Sequence, residues 1–190
     1  LSFETHPHRT RDHFARLHTG SPFDGLSGNR RDEALEWMDR HFRIVHRTYE
    51  QANGHNIGWL HSMIYTLAVR DQCKLIVIDP WNELEHLPEP GESLTNYINF
   101  ALQQIRQWAE KYEVHICLIA HPKKIETFKG EPRAPMGYDV ADSAAFFNKP
   151  ALGFTVHQEK AQSGVTYVQL ITWKVRDAQL YGIGKGMETC

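Results

Sequence analysis

The chain has 190 residues, 41% hydrophobic and 23% charged, with a formal net charge of −2. That length suffices for one domain with a real core, and the composition excludes a disordered or fibrous chain. The near-neutral balance excludes a fold-wide basic field but not a local basic loop. No apolar run approaches the roughly 20 residues that span a bilayer. Cys73, Cys117 and Cys190 form no C-x-x-C, so neither a disulfide framework nor a cysteine zinc site is indicated, and a reducing, cytoplasmic compartment is expected. The chain opens Leu1-Ser2-Phe3-Glu4 without an initiator Met or a secretory pattern, and reads as the middle of a longer polypeptide.

Apolar β-rich runs alternate with amphipathic helices, which predicts an α/β fold. Strands are expected at Leu1–Phe3, Phe42–His46, Lys74–Ile78 and Val114–Ala120, with short helices near Thr10–His18 and Arg31–Arg40. A helix from Ile57 to about Arg70 puts Ile57, Leu60, Ile64 and Leu67 on one face, with Asn56 as cap. Leu75-Ile76-Val77-Ile78 and Ile116-Cys117-Leu118-Ile119 are continuously apolar, as strands buried on both faces of a parallel sheet are. Leu94 to Tyr112 is the clearest helix, capped by Ser93. Pro122 to Tyr138 is a polar segment longer than most connections, and such loops are usually functional or disordered. Ala151–His157 and Thr166–Trp173, separated by a gap with Gln162-Ser163-Gly164, read as an antiparallel hairpin.

Four places can carry chemistry. Asp79 directly follows a buried parallel strand, at the edge where α/β folds bind ligands, or it caps the next turn. His121 ends the following strand and could hydrogen-bond a phosphate oxygen, or be a surface histidine. Lys174 and Arg176, two apart on a strand, share a face. Two fixed cations suit an anion such as phosphate, unless they are only solvated charges. Glu4 ends the first strand, where a carboxylate can orient and deprotonate a water. The 12 histidines, including His6, His8, His13 and His18, lack the spacing of zinc motifs. Trp37, Trp59 and Trp108 fall at helical apolar positions and read as core.

In order and spacing these segments resemble the RecA-like motor domain of hexameric replicative helicases of the DnaB and Twinkle type, nearest to the phage and bacterial primase-helicases. Ser2-Phe3-Glu4 resembles that family's catalytic-glutamate strand, and Ile78-Asp79-Pro80-Trp81-Asn82-Glu83-Leu84 its Walker B segment. Ala120-His121-Pro122 resembles the phosphate sensor; Asn148-Lys149 with Lys174-Val175-Arg176 resembles the arginine-finger motif. The resemblance implies a mainly parallel twisted sheet with helices on both faces and a C-terminal antiparallel hairpin, truncated at the N-terminus, in one domain over residues 1–190. It implies ATP or another NTP with Mg²⁺, organised by Asp79, with Glu4 activating water and His121 sensing the γ-phosphate. Lys174 and Arg176 would reach a neighbouring subunit's nucleotide in a ring-shaped hexamer. Lys123, Lys124, Lys129 and Arg133 would hold single-stranded DNA while the motor translocates and unwinds duplex; no membrane is implied. Two departures stand out. No Gly-x-x-x-x-Gly-Lys-Ser/Thr occurs in the 190 residues, and the expectation is that it lies upstream in the parent protein. Asn148-Lys149-Pro150-Ala151 replaces the frequent Asn-Lys-Ala-Asp. The competing class is a RecA-like interaction or DNA-binding module that never hydrolyses nucleotide.

Overall fold

The computed structural model describes residues 1–46, 54–123, 127–128, 131–140, 144–160, 164–181 and 186–189. The chain divides into two compact units, Leu1–Glu85 with Trp108–Ile119, and His86–Gln107 with Ala120–Cys190.

The first unit is built on parallel pairing. Strand β1 (Leu75–Ile78) pairs in parallel with β2 (His115–Leu118), Ile76 opposite Ile116 and Ile78 opposite Leu118. Ser2 makes parallel bridges to both Asp79 and His46. Extended chain therefore lies side by side in the order His46, Ser2, β1, β2. From Ser2 the chain moves to one side to reach His46, then crosses back over Ser2 to reach β1. The direction of progression reverses between the Ser2 segment and β1.

The helices follow local rules. Helix α1 (Pro7–Thr19) starts with Pro in its first turn and ends on Gly20 at φ 74°, a left-handed position that favours glycine. Helix α2 (Gly28–His41) packs on it around Ala15, Phe23, Leu26, Ala34 and Met38. Trp37 is half-buried against this cluster and stacks on His18 at 4.3 Å. Helix α3 (Ile57–Tyr65) is capped by Asn56, whose side chain accepts from the Gly58 and Trp59 amides at 3.0 Å each. The expected helix continues to Arg70, but as a π-helix over Thr66–Arg70. The Thr66 hydroxyl donates back to the Ser62 carbonyl at the junction, a competition that loosens the α ladder. Helix α4 (Leu94–Lys111) buries Tyr97, Ile98, Ala101, Leu102 and Ile105, and Ser93 Oγ accepts from the Asn96 amide as expected. Each fully buried aliphatic there contributes about 1.5–3 kcal/mol.

Burial corrects one expectation. Strand β1 is covered on one face only: Ile76 and Ile78 are buried, whereas Leu75 is 58% and Val77 37% exposed. Cys117 is half-buried rather than a core residue. Of the expected strand Phe42–His46, only His46 makes a ladder contact.

In the second unit, the segment read as one long loop is tied down. Pro122 bridges Val140 in antiparallel fashion, and β3 (Thr127–Phe128) pairs with β4 (Glu131–Pro132). A 3₁₀ turn at Gly137–Asp139 and the short helix α5 (Ala145–Asn148) follow. The expected hairpin is present and longer: β5 (Leu152–Lys160) runs antiparallel to β6 (Thr166–Val175), with a bulge at Gly153/Phe154. After α6 (Ala178–Tyr181), β7 (Gly186–Thr189) adds to the free edge of β6.

Candidate functional site

The first cluster forms where the parallel progression reverses. Phe3 donates its amide to the Asp79 carbonyl at 2.9 Å, and Asp79 donates to the Leu1 carbonyl at 3.0 Å. Ser2 donates to the Val45 carbonyl at 3.0 Å. This ladder places Glu4 and Asp79 at the carboxyl ends of adjacent parallel segments, on the two sides of the reversal. Open α/β sheets bind ligands at such a switch point, because the crossovers leave it uncovered. Glu4 is exposed and Asp79 half-buried. Phe3, buried between them in sequence, packs against His55 and Trp59 and anchors the strand end. After Asp79 a cis peptide leads to buried Pro80. The chain turns at once: Trp81 donates to the Ile119 carbonyl at 2.7 Å, and Ile119 donates to the Ile78 carbonyl at 2.9 Å. Asp79 is thus held from both sides by backbone bonds. Burial first, and the Asp79 charge second, push the Cys117 thiol above its ordinary value, so this cysteine stays neutral.

Glu4 and Asp79 offer hard oxygen donors of the kind Mg²⁺ takes. Among the described residues no group of three or more His, Cys, Asp or Glu could hold a metal. Two carboxylates still fit Mg²⁺, which keeps several waters and shares its coordination with substrate phosphates rather than sitting in an all-protein cage. The histidines near this end are otherwise engaged: His6 accepts from the His8 amide at the start of α1, and its ring packs against His8 and His46.

The second cluster lies at the end of the hairpin. Lys174 Nζ donates to the carbonyls of Phe147 at 2.5 Å and Asn148 at 2.8 Å. Arg176 donates to Asn148 at 3.3 Å and Lys149 at 3.0 Å. The two side chains share a face, as their spacing required. They meet the carbonyls at the end of α5, which have no intrahelical partner and carry partial negative charge. Lys149 itself reaches Gln103 at 3.3 Å.

His121 is exposed. Lys123 is exposed too, and its amide donates to the Asp139 carbonyl at 2.7 Å. Arg133 makes a two-pronged bond to Asp139, at 2.7 and 2.5 Å. That guanidinium holds the Asp139 carboxyl below its ordinary range. Lys124 and Lys129 lie outside the described residues. The partner of Arg133 was not legible, since a carboxylate six residues on belongs to no helical or strand spacing. Nor were Gly137 and Gly153 singled out. At either position a Cβ would fall within 3 Å of the Trp173 ring, so the two glycines admit that ring against the turn and the strand. A glycine inside a strand pattern is the available signal of such an approach.

No protein-family model matches the chain. It is similar to the Twinkle homolog protein, chloroplastic/mitochondrial, of Arabidopsis thaliana, with 28% identity across an alignment of 190 residues covering 93% of this chain. That alignment covers 26% of the relative, so the chain spans about a quarter of its length. Among solved structures, the ATPase domain of a DnaB-like helicase superposes over 99% of this chain and 68% of its own, with a TM-score of 0.68 and 15% identity. A second DnaB-like replicative helicase, solved for its interactions with primase, superposes over 98% of this chain and 46% of its own, with a TM-score of 0.66 and 14% identity. Among the described residues no helix is long and apolar enough to cross a membrane. The chain therefore carries the RecA-like α/β fold of DnaB-type helicase ATPase domains, and resembles in sequence the motor of a Twinkle homologue.

Proposed function

We propose that the chain is part of the single RecA-like motor domain of an ATP-dependent replicative helicase that translocates on single-stranded DNA and unwinds duplex. The observation that carries this reading is the backbone ladder that sets Glu4 beside Asp79 at the reversal of the sheet. Bound Mg²⁺ and nucleotide supply the electrophilic phosphoryl group and the neutralisation of its charge. The residues of this chain do the rest. Asp79 orients the water shell of the cation, its position set by backbone bonds on both sides. Glu4, exposed at the neighbouring strand end, takes a proton from the attacking water. His121 hydrogen-bonds a terminal phosphate oxygen. Lys174 and Arg176 bind neutral carbonyls; a phosphate is a stronger, charge-assisted acceptor and competes for them across a subunit interface in a ring. Lys123, Lys124, Lys129 and Arg133 meet DNA phosphates without reading sequence.

The second reading, a module that does not hydrolyse nucleotide, is favoured by the lack of a Gly-x-x-x-x-Gly-Lys-Ser/Thr motif in these 190 residues, because the backbone cradle for phosphates is not among them. DNA-stimulated ATPase assays separate the two. The 190-residue chain alone is expected to show no turnover. In the full-length parent protein, Glu4→Gln should abolish turnover while nucleotide still binds, and Asp79→Asn should abolish it by weakening Mg²⁺ dependence. Unchanged turnover in both variants would establish that the carboxylate pair is not a catalytic site.

A further inference from the structure

Three rings of the second unit form a column. Tyr138 stacks on Phe147 with centroids 4.0 Å apart and planes 15° from parallel, and Phe147 stacks on Trp173 at 5.4 Å and 22°. The inner end is locked. Trp173 Nε1 donates to Thr155 Oγ1 at 3.2 Å, and that hydroxyl donates to the Pro135 carbonyl at 2.6 Å. A Cβ on Gly153 would overlap the Trp173 ring, and one on Gly137 would press on that ring and on the Phe147 backbone. The outer end is different: Tyr138 is 57% exposed.

A single exposed tyrosine is ordinary. This one is braced. Its 3₁₀ turn is closed by the Asp139 amide donating to the Met136 carbonyl at 2.9 Å and by the Asp139 carboxylate accepting from the Met136 amide at 2.7 Å. The same carboxylate takes the two-pronged bond from Arg133. A ring fixed by its neighbours presents a flat π-face at little further entropic cost. Cations stand beside it in the chain pairing: Lys123 bonds to the residue that follows Tyr138, and Arg133 sits at the other end of the turn.

A flat, rigid aromatic face next to backbone-tracking cations is the combination that binds single-stranded nucleic acid, since stacking tolerates every base and the cations meet the phosphates. We propose that Tyr138 is a stacking platform for one nucleobase of a bound single strand. This rests on the reading of the chain as part of a motor that holds single-stranded DNA, and adds a base contact to phosphate contacts.

The test compares, at low salt, binding of the 190-residue chain to an oligo-dT and to an abasic oligonucleotide of equal length and charge. The wild type should prefer the base-bearing strand by at least about fivefold, the lower end for one stacked base. Tyr138→Phe should keep that preference; Tyr138→Leu, which retains bulk without a π-face, should erase it. A measurement that needs no variant is photocrosslinking of a 5-iodouracil oligonucleotide to the wild type, with the adduct expected on Tyr138. Equal binding of the two oligonucleotides by the wild type overturns the platform and leaves the phosphate contacts standing. A preference that survives in Tyr138→Leu, or an adduct on another residue, also overturns it. Failure of the wild type to bind either oligonucleotide removes the DNA-holding reading and this inference with it.

Discussion

Gly153→Ala should destabilise the protein, although its backbone conformation is open to alanine. Gly153 is not among the positive-φ glycines. Replacing such a glycine would by itself raise stability by about 0.4–1 kcal/mol, through the unfolded chain. Space decides the sign. The new Cβ would sit 2.2 Å from two carbons of Trp173 and 2.6 Å from a third. Ordinary carbon contacts lie near 3.5–4.0 Å, so the ring would have to move by about 1.3 Å or more. It has no easy exit, because its N–H is bonded to Thr155 and its face lies on Phe147. Overpacking of this kind costs about 1–3 kcal/mol, which leaves a net loss of about 1–2 kcal/mol. Thermal unfolding followed by tryptophan fluorescence should fall by roughly 2–4 °C per kcal/mol at this chain length. Gly28→Ala is the control: nothing lies within 4 Å of its Cβ position, so it should be neutral or stabilising. Trp173→Phe removes part of the obstructing ring, and the double variant should be more stable than the sum of the single losses predicts. A Gly153→Ala protein as stable as the wild type, or strictly additive losses, would refute the close approach.

Asn56→Ala removes the acceptor of two amides at the start of α3 and should cost about 0.5–2 kcal/mol in a denaturant melt. Asp12 is held low by its bonds to Arg16 and the Phe23 amide, and Asp139 by Arg133. Carboxyls with lowered folded values stabilise the fold fully above the ordinary value near 3.9, and that contribution disappears as pH falls through the lowered values. Melting temperature should therefore drop below about pH 5, less steeply in Asp12→Asn and Asp139→Asn; slopes identical to wild type would count against both bonds. Charge reversal of Lys123 and Lys124 in the parent protein should weaken binding of all single-stranded sequences alike and flatten the salt dependence. Arg176→Ala should lower DNA-stimulated turnover of the parent by about 10³–10⁵ with nucleotide affinity nearly intact. Mixing it with Glu4→Gln subunits should restore part of the activity, and no restoration despite subunit exchange would mean that Arg176 acts within its own subunit.

Whatever depends on neighbours within a turn or two was legible in the sequence. The period of Leu94 to Tyr112 reports one buried face, and Asn56 and Ser93 can cap only what immediately follows them. The apolar run before Asp79 likewise implies a strand with a carboxylate at its end. What no local pattern contains is which strand lies beside which. That Ser2 stands between His46 and Asp79, so that Glu4 and Asp79 become neighbours, depends on bonds spanning more than seventy residues, such as that from Phe3 to Asp79. The same holds for burial. Leu75 and Val77 look identical to Ile76 and Ile78 in the sequence, and only the layers packed around β1 separate exposed from buried. It also holds for Lys174 and Arg176. Their two-residue spacing guarantees a shared face, but the partner on that face, the carbonyl end of α5, is set by how β6 packs on a segment almost thirty residues away. Short-range geometry follows from covalent structure, whereas long-range partners are chosen by the packing of the whole chain.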